Sequence, residues 1–218
     1  MENKKEKIKL FWDDVFKREE AVYPKTKSTG NKDLDDMLDQ LIKPNDVVLD
    51  FGCGNGSMLI YAKLRGASKL TGIDLSEEAI RLCKRRTGRK RGFSFIQGDA
   101  QQLTQIKDQS FDKIILSNII DNTDYAETNH ILTSAIRLLK PNGLIWIKLN
   151  DYIDPRLYES YGIKVIENDL VDDGLLLLNQ KTEVWEEFFN MYGDIIDYRK
   201  IYYPKHDTYN RSFMIKRK

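Results

Sequence analysis

Residues 46–56 read DVVLDFGCGNG, a short apolar run that ends in an acid and then three glycines at alternate positions. The run predicts a buried strand that ends at Asp50, and the glycines predict a tight turn. The residues that follow, SMLIYAKLRG at 57–66, predict a helix that begins at this turn. Glycines let the backbone approach a ligand closely, and the helix offers its N-terminal amides to that ligand. The stretch therefore predicts a turn that cradles a nucleotide.

The alternation of strand and helix continues along the chain up to residue 150. Nearly continuous apolar strands separated by helices are typical of a parallel sheet covered on both faces, so we predict a doubly wound α/β fold. The helix predicted at 76–88 has Ser76 as its N-cap. The strands predicted after the first are KLTGID at 69–74, FSFIQGD at 93–99, FDKIILSN at 111–118, LIWIKLN at 144–150, DIIDYRKIYYP at 194–204 and RSFMIKRK at 211–218.

We predict a single domain with four parts. The third part contains an inserted hairpin that turns at 172–174, where DDG is a turn sequence. The last part begins with a helix for which Thr182 is the predicted N-cap. The four parts are an N-terminal helical cover at 1–43, a core at 44–150 that binds the ligand of the glycine turn, the hairpin insertion at 151–180, and a helix with two closing strands at 181–218.

Composition narrows the class of protein. The 218 residues are 41% hydrophobic and include 35 basic and 34 acidic residues, a net charge of +1. That balance argues against a protein that coats DNA or RNA. Cys53 and Cys83 form no CxxC pair, so we predict neither a zinc site nor a disulfide framework. Since no apolar run reaches the roughly 18 residues of a membrane span and the N-terminus lacks the apolar segment of a signal peptide, we expect a cytoplasmic protein without a membrane partner.

Acids stand at the ends of the next two predicted strands. Asp74 is placed to accept hydrogen bonds from ribose hydroxyls, and Asp99 is placed to meet an adenine amino group. The dinucleotide fingerprint G-x-G-x-x-G would require glycine at position 57, which is Ser57. Asp50 would repel a pyrophosphate but suits a ligand with an ammonium group. A sulfonium ligand with an amino-acid tail therefore fits better than the dinucleotide of a dehydrogenase.

Five segments, taken together in order and spacing, resemble one known family. The sequence is similar over about residues 10–150 to class I S-adenosylmethionine-dependent methyltransferases, and NRSFMIKRK at the C-terminus resembles the final strand of that family. The resemblance implies a Rossmann-like, seven-stranded sheet of order 3-2-1-4-5-7-6, with the last strand antiparallel. The segments are VVLDFGCGNG at 47–56, TGIDLS at 71–76, FIQGDA at 95–100, FDKIILSNII at 111–120 and RLLKPNG at 137–143.

The resemblance also implies where the methyl donor, S-adenosylmethionine, lies, and it implies no metal. The amino-acid tail is expected near the glycine turn, the adenosine at the ends of the second and third strands, and the sulfonium above the end of the fourth. Two aromatic residues of the N-terminal cover are candidate contacts, with ordinary core packing as the alternative. The expected donor contacts are Asp50, Gly52, Cys53, Gly54, Gly56, Asp74, Leu75, Asp99, Ala100, Ser117, Asn118, Ile119, Trp12 and Tyr23.

The stretch after the fourth strand, SNIIDNTDY at 117–125, is expected to line the acceptor side. Methyl transfer from a sulfonium mainly requires alignment, so no sharply defined catalytic residue is needed. Asp121 is the candidate base or cation-orienting group, with a solvated loop carboxylate as the alternative. The stretch lacks the Asn/Asp-Pro-Pro-aromatic motif of amino-group methylation, and neither cysteine suits a nucleophile at the sheet edge. The remaining prediction is methylation of an O, N or S atom of a small molecule.

One basic stretch of the sequence allows alternative functions. RLCKRRTGRKRG at 81–92 has seven basic residues among twelve. These side chains can contact phosphates, but cations are also favoured at the C-terminal end of a helix. The alternatives are an RNA or protein methyltransferase that uses residues 81–91, and a donor-binding module without turnover. The protein is expected to be a monomer or a homodimer.

Overall fold

A computed structural model describes residues 2–218, with side chains from residue 5 onward. The helices are α1 (Glu2–Lys17), α2 (Lys32–Leu41), α3 (Ser57–Leu64), α4 (Glu77–Thr87), α5 (Gln101–Thr104), α6 (Tyr125–Leu138), α7 (Tyr158–Tyr161) and α8 (Thr182–Asn190). The strands are β1 (Val47–Phe51), β2 (Lys69–Asp74), β3 (Phe93–Gln97), β4 (Phe111–Ser117), β5 (Leu139–Asn150), β6 (Lys164–Glu167), β7 (Leu170–Asp172), β8 (Leu176–Leu178), β9 (Gly193–Tyr203) and β10 (Thr208–Arg217).

Seven strands form one sheet in the order β3-β2-β1-β4-β5-β10-β9. The neighbours from β3 to β5 pair in parallel, and β10 runs antiparallel to both β5 and β9. With β9 and β10 as the sixth and seventh strands of this sheet, the predicted order and the reversed last strand are confirmed. The carboxyl ends of the parallel strands therefore meet at one edge, where ligands bind in open sheets of this kind.

The sheet is covered on both faces, as its apolar strands require. Met37 and Leu38 of α2 pack with Trp146 on one face, and all three side chains are completely buried. Trp185 and Phe189 of α8 are buried with Phe213 on the other face. Burial of these apolar surfaces stabilises the fold by about 25 cal/mol per Å². This layered core holds the strand ends in fixed positions.

Helix α1 lies across the edge formed by the strand ends and docks onto the beginning of α4. The Ser76 hydroxyl accepts a hydrogen bond from Ala79 N at 3.0 Å, as the N-cap prediction requires. The same hydroxyl donates to Asp13 of α1 at 2.6 Å, and Glu78 N donates to Asp13 at 3.2 Å. A carboxylate is favourable at this position because the N-terminus of a helix carries partial positive charge. One serine therefore caps α4 and attaches the helical cover.

The inserted segment differs from the predicted hairpin. Strands β7 and β8 do pair in antiparallel fashion around the turn at 172–174, but β6 adds a third strand on the other side of β7. Thr182 is also not the N-cap of α8, because the structure places it as the first helical residue after Lys181, which makes no side-chain cap hydrogen bond. The cap prediction failed because a Thr at the first helical position has the same sequence signature as an N-cap.

Replacing Ser76 by alanine is expected to lower the free energy of unfolding by about 1 to 2 kcal/mol, because the change removes the cap of α4 and its link to Asp13. Chemical denaturation measures this value. Ser94→Ala is the control, since Ser94 is exposed on β3. Equal stability of the two variants would contradict the double role of Ser76.

Candidate active site

A cavity of about 1110 Å³ opens at the carboxyl ends of β1, β2 and β4. Helix α1 and the β9–β10 hairpin also contribute to its walls. Ligand pockets of about 300–1,000 Å³ hold one drug-sized molecule, so this cavity has room for two small ligands. Twelve of the predicted donor contacts line it: Trp12, Asp50, Gly52, Cys53, Gly54, Asp74, Leu75, Asp99, Ala100, Ser117, Asn118 and Ile119.

The glycine turn has no room for side chains. Gly52 has φ +73°, and a Cβ placed on it would lie 2.8 Å from Cδ1 of Ile119. Gly54 has φ +49°, and its added Cβ would lie 3.1 Å from the Phe16 ring. A Cβ at Gly56 would meet the Cys83 sulfur at 2.8 Å. Gly56 therefore serves packing beneath the turn and does not line the cavity, whereas the other two glycines do.

Asp74 at the end of β2 holds the turn in place. Its two carboxylate oxygens accept hydrogen bonds from Gly54 N at 2.7 Å and from Ser76 N at 2.9 Å. Burial raises the pKa of Asp74, and these two backbone bonds oppose the rise because they favour the charged form. Asp74 thus connects the turn after β1 to the turn after β2 while its carboxyl group still lines the cavity.

Asp50 has a buried oxygen without a partner. Its side chain is 1% exposed and lines the cavity, and its Oδ1 has no hydrogen bond with any residue that the structure describes. Burial, assisted by repulsion from Asp74, raises the pKa of Asp50 to about 8, while the charge of Lys148 opposes the rise. A buried acceptor is costly unless it is paired, so this oxygen is suited to a donor group on a ligand.

Asp99 lies where the helical cover closes over the strand ends. The ammonium of Lys5 on α1 lies 3.1 Å from Asp99 Oδ2 and 3.3 Å from Glu127 Oε1. Burial alone would raise the pKa of Asp99, but the hydrogen bonds from Gln101 N and Lys5 hold that pKa below its usual value. Since the first turn of α1 is attached here, the cover and the predicted adenine contact are linked.

The end of β4 forms the floor of the cavity. Asn118 adopts a left-handed conformation with φ +53°, and its backbone N–H donates to Lys148 O at 2.7 Å. This turn places Ser117, Asn118 and Ile119 in the cavity lining. Asparagine tolerates this conformation better than most residues because its side chain can hydrogen-bond locally. Here its amide donates to Asn150 Oδ1 at 3.0 Å.

The two aromatic residues predicted in the helical cover occupy different places. Trp12 lines the cavity, and its ring stacks on Phe16 with the centroids 5.5 Å apart. Tyr23 lies outside the cavity, with the ammonium of Lys90 4.2 Å from the centre of its ring. The structure therefore brings only Trp12 to the predicted donor site.

Asp121 is completely buried and does not line the cavity. Its Oδ2 accepts hydrogen bonds from Asn150 N at 2.6 Å and Asn150 Nδ2 at 3.0 Å, while Oδ1 has no partner among the described residues. Burial raises the pKa of Asp121 to about 6, and the Asn150 bonds and the Arg211 charge oppose the rise. The short 3-10 turn at Ile120–Asn122 directs this carboxylate beneath the floor, so it is no solvated loop carboxylate.

Lys148 is a cavity residue that the sequence analysis did not identify. It stands on β5 and interrupts the apolar run LIWIKLN. Burial lowers the pKa of Lys148 to about 8, although Asp121 and Asp50 oppose the fall. The presence of a charged residue inside an otherwise apolar strand is the feature of the sequence that could have identified it. His130 and His206 line the cavity as well.

The basic stretch is partly used within the fold. Arg86 donates hydrogen bonds to Val22 O at 2.8 Å, Asn55 O at 2.6 Å and Ser57 Oγ at 2.9 Å, which attaches α4 to the glycine turn. Arg81 forms ion pairs with glutamates on its own helix. Arg81 is nevertheless exposed, and the other exposed cations of the stretch are Lys84, Arg85, Arg89, Lys90 and Arg91.

Two features are absent from the described part of the chain. No group of three or more His, Cys, Asp or Glu side chains there is arranged to hold a metal ion. No helix there is both long and apolar enough to span a bilayer.

Comparison with known proteins gives a family match. A family model described as "Methyltransferase domain" matches residues 42–189, about two thirds of the chain. A fatty-acid O-methyltransferase of Mycolicibacterium smegmatis is 34% identical over 135 residues, which are 62% of this chain and 45% of that protein. The chain thus spans less than half the length of this relative.

Two further similarities cover a larger share of the matched protein. EEF1A lysine methyltransferase 2 of Danio rerio is 28% identical over 169 residues, which are 70% of this chain and 72% of that protein. The crystal structure of 1,6-didemethyltoxoflavin-N1-methyltransferase from Burkholderia thailandensis, with bound 1,6-didemethyltoxoflavin and S-adenosylhomocysteine, superposes with a TM-score of 0.67. It is 18% identical and the match covers 96% of this chain and 83% of that one, which shows a shared fold.

Replacing Asp50 by asparagine is expected to stabilise the protein in a pH-dependent way. Because the pKa of this carboxyl is raised from 3.8 to about 8, the folded protein holds a proton that the unfolded chain releases, and wild-type stability falls as pH rises between these values. The gain in unfolding free energy should therefore grow from pH 4.5 to 8 and reach roughly 5 kcal/mol, since each unit of pKa difference corresponds to about 1.4 kcal/mol.

Chemical denaturation across this pH range measures the difference between variant and wild type. Asp194→Asn is the control, because Asp194 is 66% exposed and its replacement should give no such slope. A difference for Asp50→Asn that stays constant from pH 4.5 to 8 would contradict the raised pKa.

Proposed function

The chain belongs to the methyltransferase domain family, and on that premise we propose that it transfers a methyl group from S-adenosylmethionine to an O, N or S atom of a small-molecule acceptor. The observation that carries the proposal is the unpaired Oδ1 of Asp50 beside a glycine turn that admits no side chain. Such an oxygen suits the ammonium of an amino-acid tail, and it would repel a dinucleotide's pyrophosphate.

The residues present fit this donor. Asp50 would hold the ammonium, and ionisation of its carboxyl would then be favoured because a positive charge lies beside it. Asp74 and Asp99 line the same cavity at the ends of the next two strands, where ribose and adenine are expected. The neighbour that shares this fold contains S-adenosylhomocysteine, which supports the proposed class of ligand.

When bound, the donor supplies an activated methyl group that is displaced in line from sulfur. The chain's contribution is alignment and exclusion of water. Ser117, Asn118 and Ile119 form the floor, while Trp12 and Phe16 of α1 cover the cavity from the other side. The cover is attached by Lys5 and Asp13, so opening α1 requires these polar contacts to break.

We propose a positioning role for Asp121 in place of direct base catalysis. Its carboxylate fixes Asn150, which in turn accepts a hydrogen bond from Asn118 at the floor. No proton acceptor is required if the acceptor atom is already ionised, as in a carboxylate or thiolate, or is the basic nitrogen of a neutral amine. His130 and His206 line the cavity and are the candidates for a base if the acceptor must lose a proton.

The lining of the cavity suits a small acceptor. Ile153, Leu175, Leu176 and Leu177 provide apolar surface on the side of the small sheet. The fatty-acid O-methyltransferase relative also acts on a small molecule by its name. A cytoplasmic location and a monomeric or homodimeric state remain predictions from the sequence.

Methylation of a protein is the second candidate, and the lysine methyltransferase relative favours it. An RNA acceptor would need the other exposed cations of the basic stretch, because Arg81 and Arg86 already have partners within the fold. A donor-binding module without turnover is the remaining alternative.

Replacing Asp74 by alanine is expected to weaken binding of S-adenosylhomocysteine at least tenfold, because the change removes the proposed ribose contact and releases Gly54 N. Isothermal titration calorimetry measures the affinity. Asp194→Ala is the control, since Asp194 is exposed at the far edge strand β9. Unchanged affinity of a folded Asp74→Ala variant would refute the ribose assignment.

Incubation with methyl-labelled donor separates the candidate acceptors. We expect label in a small-molecule pool and none in protein or RNA pools. If RNA were the acceptor, labelling would fall with added salt and with neutralisation of Arg85, Arg89 and Arg91. Donor binding without labelling of any pool would favour the module without turnover.

A further inference from the structure

The cavity has a second charged group that the proposed donor site does not use. Lys148 lines the cavity from β5, between the completely buried Ile147 and Leu149. Among the described residues its ammonium contacts only Tyr203, with a long hydrogen bond of 3.4 Å to the hydroxyl and a cation–π contact at 5.4 Å from the ring centre. Neither contact neutralises the charge of this largely buried ammonium, which is costly unless an anion pairs with it.

The nearby carboxylates Asp50, Asp121 and Asp151 form no ion pair with Lys148. Asp121 accepts both of its hydrogen bonds from Asn150. Asp151 pairs with Lys200 at 3.0 Å. Asp50 is the proposed site of the donor's ammonium. Burial lowers the pKa of Lys148 to about 8 and the charges of Asp121 and Asp50 oppose the fall, so the ammonium is mostly protonated at neutral pH.

Lys148 lies in the half of the cavity that is remote from the adenosine side. The proposed donor contacts Asp50, Asp74 and Asp99 follow β1, β2 and β3, whereas β5 lies beyond β4 on the other side of β1. With a strand spacing of about 4.8 Å, β5 is roughly 10 Å from β1. Beyond Lys148, Tyr203 and His206 of the β9–β10 hairpin continue the wall.

We propose that Lys148 binds a carboxylate of the acceptor, so that the natural acceptor is an organic acid. This inference rests on the proposed function and names its substrate class. The ammonium of Lys148 forms an ion pair with the carboxylate, and the hydroxyl of Tyr203 donates a second hydrogen bond. The apolar part of the acid packs against Ile153 and Leu176, which line the same cavity.

The test uses calorimetry on the full chain saturated with S-adenosylhomocysteine. The probes are butanoate, octanoate, dodecanoate and benzoate, each compared with its neutral primary amide. In wild-type protein at least one carboxylate is expected to bind more than tenfold tighter than its amide. Lys148→Met should remove that preference, and Lys148→Arg should retain most of it because the charge remains.

Lys140→Met is the matched control, since Lys140 lies on the same strand at the opposite end and pairs with Asp112. This variant should prefer the carboxylate over its amide to the same extent as wild type. Lys148→Met is expected to melt at or above the wild-type temperature, because it removes a buried charge. Its affinity for S-adenosylhomocysteine should stay within twofold of wild type.

Two results would overturn the inference while leaving the proposed function intact. The first is that no carboxylate is preferred over its amide in wild-type protein. The second is a tenfold loss of S-adenosylhomocysteine affinity in folded Lys148→Met, which would assign Lys148 to the donor's own carboxylate. Failure of wild-type protein to bind S-adenosylhomocysteine would instead refute the proposed function.

Discussion

The steric constraint at Gly52 sets the geometry on which the site depends. The residue adopts φ +73°, and a single added carbon would lie 2.8 Å from Ile119 at the end of β4. Because no side chain intervenes, the turn after β1 packs directly against the turn after β4. Asp74 then ties Gly54 to the end of β2. Three strand ends are thereby fixed close together, and the cavity is the space that remains above them.

The charges in this cavity follow from the same packing. Asp50 and Lys148 both line it, and burial moves the pKa of each toward about 8, the carboxyl upward and the ammonium downward. Among the described residues, Asp50 Oδ1 has no partner, and Lys148 contacts only the uncharged side chain of Tyr203. Such an arrangement costs stability in the free protein and is suited to ligands that supply the missing charges. The proposed donor supplies an ammonium, and the proposed acceptor supplies a carboxylate.

Local sequence patterns predicted most of the fold, because glycine turns and strand-length apolar runs depend on neighbours in the chain. Gly52 and Asp74 belong to such patterns, and both line the cavity as expected. Features that depend on contacts between segments far apart in the sequence could not be predicted from these local patterns. The contact of Tyr23 with Lys90 and the burial of Asp121 beneath Asn150 arise from tertiary packing. The third strand of the small sheet likewise required knowledge of which segments pair.

A crystal structure of the protein with S-adenosylhomocysteine would show whether Asp50 holds the donor. We predict that the ligand's ammonium lies within hydrogen-bond distance of Asp50 Oδ1 and that its ribose hydroxyls contact Asp74. We also predict that Lys148 remains free of the ligand's carboxylate. A ligand bound elsewhere, or one that occupies the cavity but leaves Asp50 Oδ1 unpaired, would refute the proposed donor site.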